Sequence, residues 1–304
     1  MQVMMLYITA ILIWGTTWIA ISFQLDDIAP EVSLAYRFTI ASALLFIFCK
    51  LRKLNLSYNK QQHMRMFGLG ISMFGVNFYL LYSGQHLLNS ALAAIAFATL
   101  VVMNIINSKL FFNTPVSSRE YFGSGLGLTG ICILFWPEIS VQNLNSEGLI
   151  GLGLCLLGTF VASLSNMLSI SNHRHQLPII QTNAYAMGYG AISMALLGIV
   201  KGTEFRVDMP IDYWLAMAYL AVFGSVIVFG CYLTLLGKIG ANKTAYITIV
   251  TPAIAVGISS VVEGFTWTIY TFCGISLILF GNVIVLLKVK PVATINNKTA
   301  AQGS

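Results

Sequence analysis

Ten runs of mostly apolar residues, each about as long as a bilayer is thick, divide this chain and leave it few ways to fold. They cover 4–23, 31–50, 66–84, 91–112, 119–136, 148–169, 180–200, 213–235, 244–263 and 268–287. A helix rises about 1.5 Å per residue, so about 20 residues cross a hydrocarbon core ~30 Å thick while keeping every backbone N–H and C=O bonded within the helix. The strands of a lipid-facing barrel are about half that length and alternate in polarity. Charged residues fill only 9% of the 304 positions against 57% apolar, and the mean hydropathy is +0.82. A soluble domain carries about 25% charged residues. The expected fold is an all-α integral membrane protein with ten transmembrane helices.

Proline and charge placement agree with this division. Pro30, Pro115, Pro137, Pro178, Pro210 and Pro291 fall at or outside the ends of runs, and only Pro252 lies within one. The loops on one side, with the C-terminus, hold thirteen basic residues: Lys50, Arg52, Lys53, Lys60, Arg65, Lys109, Arg119, Arg174, Lys238, Lys243, Lys288, Lys290 and Lys298. The other side holds two, Lys201 and Arg206, among acidic residues that include Asp26, Asp27, Glu138, Glu204 and Asp208. Basic loops stay in the cytoplasm, which predicts a multi-pass protein of the cytoplasmic (inner or plasma) membrane with both termini inside. The net charge of +6 therefore speaks for anionic lipid headgroups and not for nucleic acid. Met1 to Met5 carries no basic residue, so the first run reads as a retained helix and not a cleaved signal.

The chain also reads as two halves. Pro30 opens the second run with Arg37 seven residues later; Pro178 opens the seventh with Tyr185 seven residues later. Five spans per half is an odd number, so the halves would face opposite ways across the membrane, as inverted repeats around a central cavity. The expected units are residues 1–140, residues 141–290, and a disordered cytoplasmic tail at 291–304.

Several short motifs resemble the EamA family of the drug/metabolite transporter superfamily. They are Trp14–Gly15–Thr16, Pro30 with Tyr36–Arg37–Phe38, Thr251–Pro252 with Glu263–Gly264, and the last run from Gly274 to Gly281. The resemblance covers roughly residues 5–288. It implies ten helices around a cavity and the movement of small organic metabolites, often the export of amino acids. The first half departs from the family pattern: its fourth run has no proline, and Phe111–Phe112–Asn113 stands where a Glu is common.

Arg37 is the one Lys or Arg well inside a run. Two roles are open to it: binding a substrate carboxylate, or donating to carbonyls and locking helices. Trp14, Tyr79, Tyr185 and Tyr246 are amphipathic aromatics suited either to a cavity wall or to an interfacial belt. Asn104, like Asn77, Asn107, Asn166 and Asn183, either bonds across helices or lines a solute path. Pro252 withholds an amide from the Thr248 carbonyl and is a candidate hinge. The expected substrate site is Trp14, Arg37, Tyr79, Asn104, Tyr185 and Tyr246, and the partners are a small-molecule substrate and the lipid bilayer. No catalytic residue, metal site or cofactor is expected.

Other patterns carry less. Cys49, Cys132, Cys155, Cys231 and Cys273 are scattered through or beside apolar runs and read as packing residues. Gly125–Gly130 matches GxGxxG but follows no strand; Gly123 and Gly127 suit close helix approach instead. His173–Arg174–His175 is placed in a cytoplasmic loop. A lipid-modifying enzyme would need clustered carboxylates or a His–Asp pair, and Asp26–Asp27 is the only adjacent acidic pair. A passive channel would show no counterflow. A secondary transporter working by alternating access is the preferred function, with efflux favoured by the resemblance.

Overall fold

The computed structural model describes residues 2–24, 28–87, 93, 96–137, 146–262 and 267–286. Asp26–Asp27, Glu138, Glu263–Gly264 and the 291–304 tail lie outside them. The described residues form α1 (Gln2–Ser22), α2 (Pro30–Leu51), α3 (Lys60–Gln85), α4 (Leu100–Phe112), α5 (Ser118–Leu134), α6 (Ser146–Arg174), α7 (Ile179–Lys201), α8 (Ile211–Ile239), α9 (Ala241–Val262) and α10 (Ile269–Leu286). Helices α2, α3, α6, α7 and α8 are long and apolar enough to cross a membrane, and α1, α4 and α10 contain shorter apolar stretches.

Local chemistry sets the ends. Pro30 occupies the first turn of α2, where its missing N–H costs nothing. Asn59 caps α3: its side chain accepts from the Gln62 N–H at 2.9 Å, and Gln62 Oε1 accepts from the Asn59 N–H at 2.9 Å. Ser117 and Glu120 make the same reciprocal pair at the start of α5. A single residue, Gly240, joins α8 to α9 with φ of +83°, a conformation that favours glycine. Two ends differ from expectation. Helix α3 begins at Lys60 and not near 66, because the Asn59 cap starts it in the loop. His173 and Arg174, expected in a loop, form the last turn of α6.

Two π turns interrupt the bundle where nothing in the hydropathy announces them: Gly70–Val76 within α3 and Val222–Ile227 within α8. Each is in the third helix of its half, and each holds a Phe–Gly pair, Phe74–Gly75 and Phe223–Gly224. In such a turn the N–H bonds five residues back, as Asn77 N–H does to the Ser72 carbonyl.

The helices pack in matching pairs. Helix α2 lies on α7 and α5 on α10; α1 packs on α8 and α9, while α6 packs on α3 and α4. The α5–α10 contact is close because its glycines leave no Cβ in the way. A Cβ on Gly130 would stand 2.8 Å from the Gly274 carbonyl oxygen, and one on Gly123 would stand 2.8 Å from that of Gly281. The close approach expected of Gly123 thus has a partner in α10. Apolar helices in a bilayer gain little from the hydrophobic effect against one another, and a van der Waals fit of this kind holds them instead.

Candidate functional site

A cavity of about 110 Å³ lies among α1, α2, α3, α4, α6, α8 and α9. Helix α1 turns Trp14, Thr17 and Ile21 toward it, a spacing that keeps side chains on one face. The Trp14 ring packs 4.9 Å from that of Tyr232 and 5.6 Å from that of Phe229. Its neighbours serve other contacts. A Cβ on Gly15 would meet Ile254 at 2.5 Å, so glycine lets α1 lie against α9. Thr16 bonds the Tyr219 hydroxyl on α8.

Arg37 supplies the cationic wall. It is 2% exposed and makes three hydrogen bonds. Nε donates to Ser225 Oγ at 2.9 Å, Nη2 to the Gly224 carbonyl at 2.9 Å, and Nη1 to Tyr82 OH at 3.3 Å. The guanidinium also faces the Phe78 ring at 5.3 Å. Both acceptors on α8 lie in its π turn. Arginine has five N–H donors, so among the described residues one on each terminal nitrogen has no protein acceptor. No Asp or Glu lines the cavity among the described residues. Tyr36 and Phe38, which flank Arg37, point elsewhere: Tyr36 OH donates to the Arg206 carbonyl at 3.1 Å, and Phe38 is buried against Phe74.

Past the π turn, α3 contributes Asn77, Phe78, Leu81, Tyr82 and Gln85. Asn166 comes from α6, and Thr248, Thr251 and Pro252 from α9. The hydroxyls of Thr248 and Thr251 are spent on the Ala245 and Ile247 carbonyls at 2.7 Å each. The lining reaches Ile21, one residue before the end of α1, and Gln85, the last residue of α3. The cavity thus runs from mid-bundle to that end.

The opposite end is closed by polar contacts among α4, α6, α8 and α9. Asn166 Nδ2 donates to Asn104 Oδ1 at 3.3 Å and to Tyr232 OH at 3.0 Å, and Asn104 Nδ2 donates to the Ala241 carbonyl at 3.4 Å. Further along, Arg174 stacks 4.1 Å from the Phe112 ring centre, and Lys238 Nζ donates to Gln2 Oε1 at 2.8 Å.

Of the six expected substrate-site residues, Trp14 and Arg37 line the cavity, and so does the hinge candidate Pro252. Asn104 stands just behind the wall, bonded to the lining residue Asn166. Three lie elsewhere. The Tyr79 ring sits 5.5 Å from Lys201 Nζ, beside the Lys201–Glu31 ion pair of 2.7 Å. Tyr185 donates to the Leu56 carbonyl at 2.8 Å and packs on His63 and Phe46 near the end of α2. Tyr246 is fully buried, with its hydroxyl where a Cβ of Gly127 or Gly281 would come within 2.5 and 2.6 Å. The cavity also uses Thr17, Gln85, Phe78 and Phe229, which nothing but helix phase could have singled out.

Comparison with known proteins follows this geometry. The sequence profile of the EamA-like transporter family matches residues 1–136 and again 149–287. The chain is 24% identical to protein PagO of Salmonella typhimurium over 94% of its length and 93% of that protein. It is 25% identical to the uncharacterized inner membrane transporter YedA of Escherichia coli K12, over 91% and 88% of the two chains. Among solved structures, a crystal structure 18% identical in sequence superposes with a TM-score of 0.79, covering 94% of this chain and 97% of that one. That likeness concerns the fold.

Proposed function

Because this chain belongs to the EamA-like transporter family, a family of membrane transporters, we propose that it is a secondary carrier of small organic metabolites. The solutes are amino acids or related compounds, moved out of the cell across the cytoplasmic membrane by alternating access. One observation carries the choice of solute: Arg37 is the cavity's charged side chain, it retains free N–H groups, and no carboxylate among the described residues lines the cavity beside it. A solute carboxylate matches that donor, and the aromatic walls suit an apolar body.

The architecture supports the cycle. Two successive profile matches, a π turn in the third helix of each half, and the paired packing favour two five-helix inverted repeats. The loop charges favour cytoplasmic termini, and on that orientation the cavity reaches the outer surface while the Asn104–Asn166–Tyr232 contacts close the inner one. Efflux as the direction rests on likeness to the family. The test is solute counterflow in proteoliposomes with an excess of unlabelled carboxylated solute inside. A carrier accumulates labelled solute transiently; a channel only equilibrates it. Lack of accumulation with every amino acid tried overturns the proposal.

A further inference from the structure

The cavity holds a polar atom that transport of a plain carboxylate leaves unused. Asn77 is 4% exposed and lines the cavity. Its Nδ2 donates to the Met73 carbonyl at 3.3 Å, one turn back, which fixes the amide orientation. Oδ1 is left buried with no partner among the described residues. A buried acceptor without a donor costs about 1–3 kcal/mol, and one beside a cavity is open to a donor that enters it, whether water or a ligand.

The two π turns give this acceptor a meaning. The turn in α8 offers the Gly224 carbonyl and Ser225 Oγ, and both are occupied by the Arg37 cation. The corresponding turn in α3 ends at Asn77, where no cation among the described residues answers. We propose that Asn77 Oδ1 is a subsite for a primary ammonium group of the solute. The solute's ammonium does in the first half what Arg37 does in the second. The rings of Trp14, Phe78 and Phe229 also line the cavity, and aromatic rings tolerate a cation. The solute's own carboxylate, on Arg37, balances the charge that no acidic lining residue balances. The inference rests on the carrier reading above and assigns the residue that reads the ammonium group of such a solute.

Three probes sharing a phenyl body separate the groups: L-phenylalanine, 3-phenylpropanoate, which lacks the ammonium, and 2-phenylethylamine, which lacks the carboxylate. Affinities are measured by calorimetry on the purified protein in lipid nanodiscs, with Asn77→Leu and Asn77→Asp alongside. The wild type is expected to bind phenylalanine at least about tenfold more tightly than 3-phenylpropanoate, a difference of about 1.4 kcal/mol. In Asn77→Leu that preference falls to within about twofold while 3-phenylpropanoate binding is unchanged. Asn77→Asp tightens 2-phenylethylamine, and this arm decides the matter if the leucine variant does not fold. Equal loss of both carboxylated probes in Asn77→Leu, or no wild-type preference for phenylalanine, overturns the subsite. Binding of 3-phenylpropanoate that depends on Arg37 but is indifferent to Asn77 removes the subsite and leaves the carrier reading intact. Failure of all three probes to bind overturns both for solutes of this class.

Discussion

Arg37 on α2 reaches Ser225 on α8, its Nε donating to the hydroxyl oxygen over 2.9 Å. Ser225 in turn donates to the Leu220 carbonyl at 3.0 Å, five residues back along the π turn. The one charged side chain among the described residues of the cavity wall is therefore held by the second half of the chain although the first half carries it. Arg37→Gln removes the charge; Arg37→Lys keeps it but loses the planar fork. We expect Arg37→Gln to abolish transport of a carboxylated solute and to matter much less for an uncharged analogue of it. Uptake of both, with the melting temperature in detergent as control, checks this. Equal loss for both solutes, or a collapse in melting temperature, assigns Arg37 to packing.

Ser225→Ala deletes an acceptor from the guanidinium without touching its charge. Hydrogen bonds to charged groups contribute about 1.5–3 kcal/mol, so thermal stability should fall by an amount in that range. Solute affinity should fall as well, because the fork is no longer held in place. Unchanged stability and affinity together would mean that the Gly224 carbonyl alone positions Arg37.

Gly127 faces the Tyr246 hydroxyl, and a Cβ there would come within 2.5 Å of it and 2.9 Å of Ile249 Cγ2. Gly127→Ala should destabilise the protein by about 1–3 kcal/mol through overpacking. Tyr246→Phe removes the oxygen, so Gly127→Ala should cost less in that background, with some penalty remaining from Ile249. Melting temperatures of the four proteins in the cycle give the coupling. Strict additivity would separate Tyr246 from the glycine's role.

Pro252 lines the cavity within α9. Pro252→Ala restores an amide to the Thr248 carbonyl and should slow the transport cycle more than it weakens binding. Binding and initial flux on one preparation decide it; if neither changes, the proline is merely structural.

Orientation is open to direct measurement. In a cysteine-free background, a cysteine replacing Lys60 should resist an impermeant thiol reagent on intact cells, and one replacing Asp26 should react. Labelling at position 60 from outside would reverse the scheme.

The sequence was informative about depth and poor about angle. Apolar runs and loop charges set which residues lie within the bilayer thickness, and a lone arginine at that depth had to face protein or water, as Arg37 does. Trp14 and Pro252 reached the cavity through short motifs. Tyr79, Tyr185 and Tyr246 share the depth and chemistry of a cavity residue, yet they point at Lys201, at the Leu56 carbonyl and at the α5–α10 contact. Successive residues turn about 100° around a helix axis, and in an apolar helix no hydropathy stripe reports that angle. In α3 the π turn shifts the phase again, which brings Asn77 and Tyr82 to the cavity and leaves Tyr79 turned to Lys201.

Each π turn is, in effect, one residue more than its helix needs. The polarity of the cavity is therefore counted as well as spelled: it depends on the number of residues between Leu220 and Val228, not only on which they are. Deleting Val226 would let α8 close into a regular helix and swing one end by about 100° against the other. Gly224 and Ser225 would then turn away from Arg37, or Tyr232 from Trp14. A chain of this kind can retain every side chain of its site and lose the site through a single missing peptide unit. Relatives can likewise gain or shed a cation's binding place without exchanging any residue that touches it.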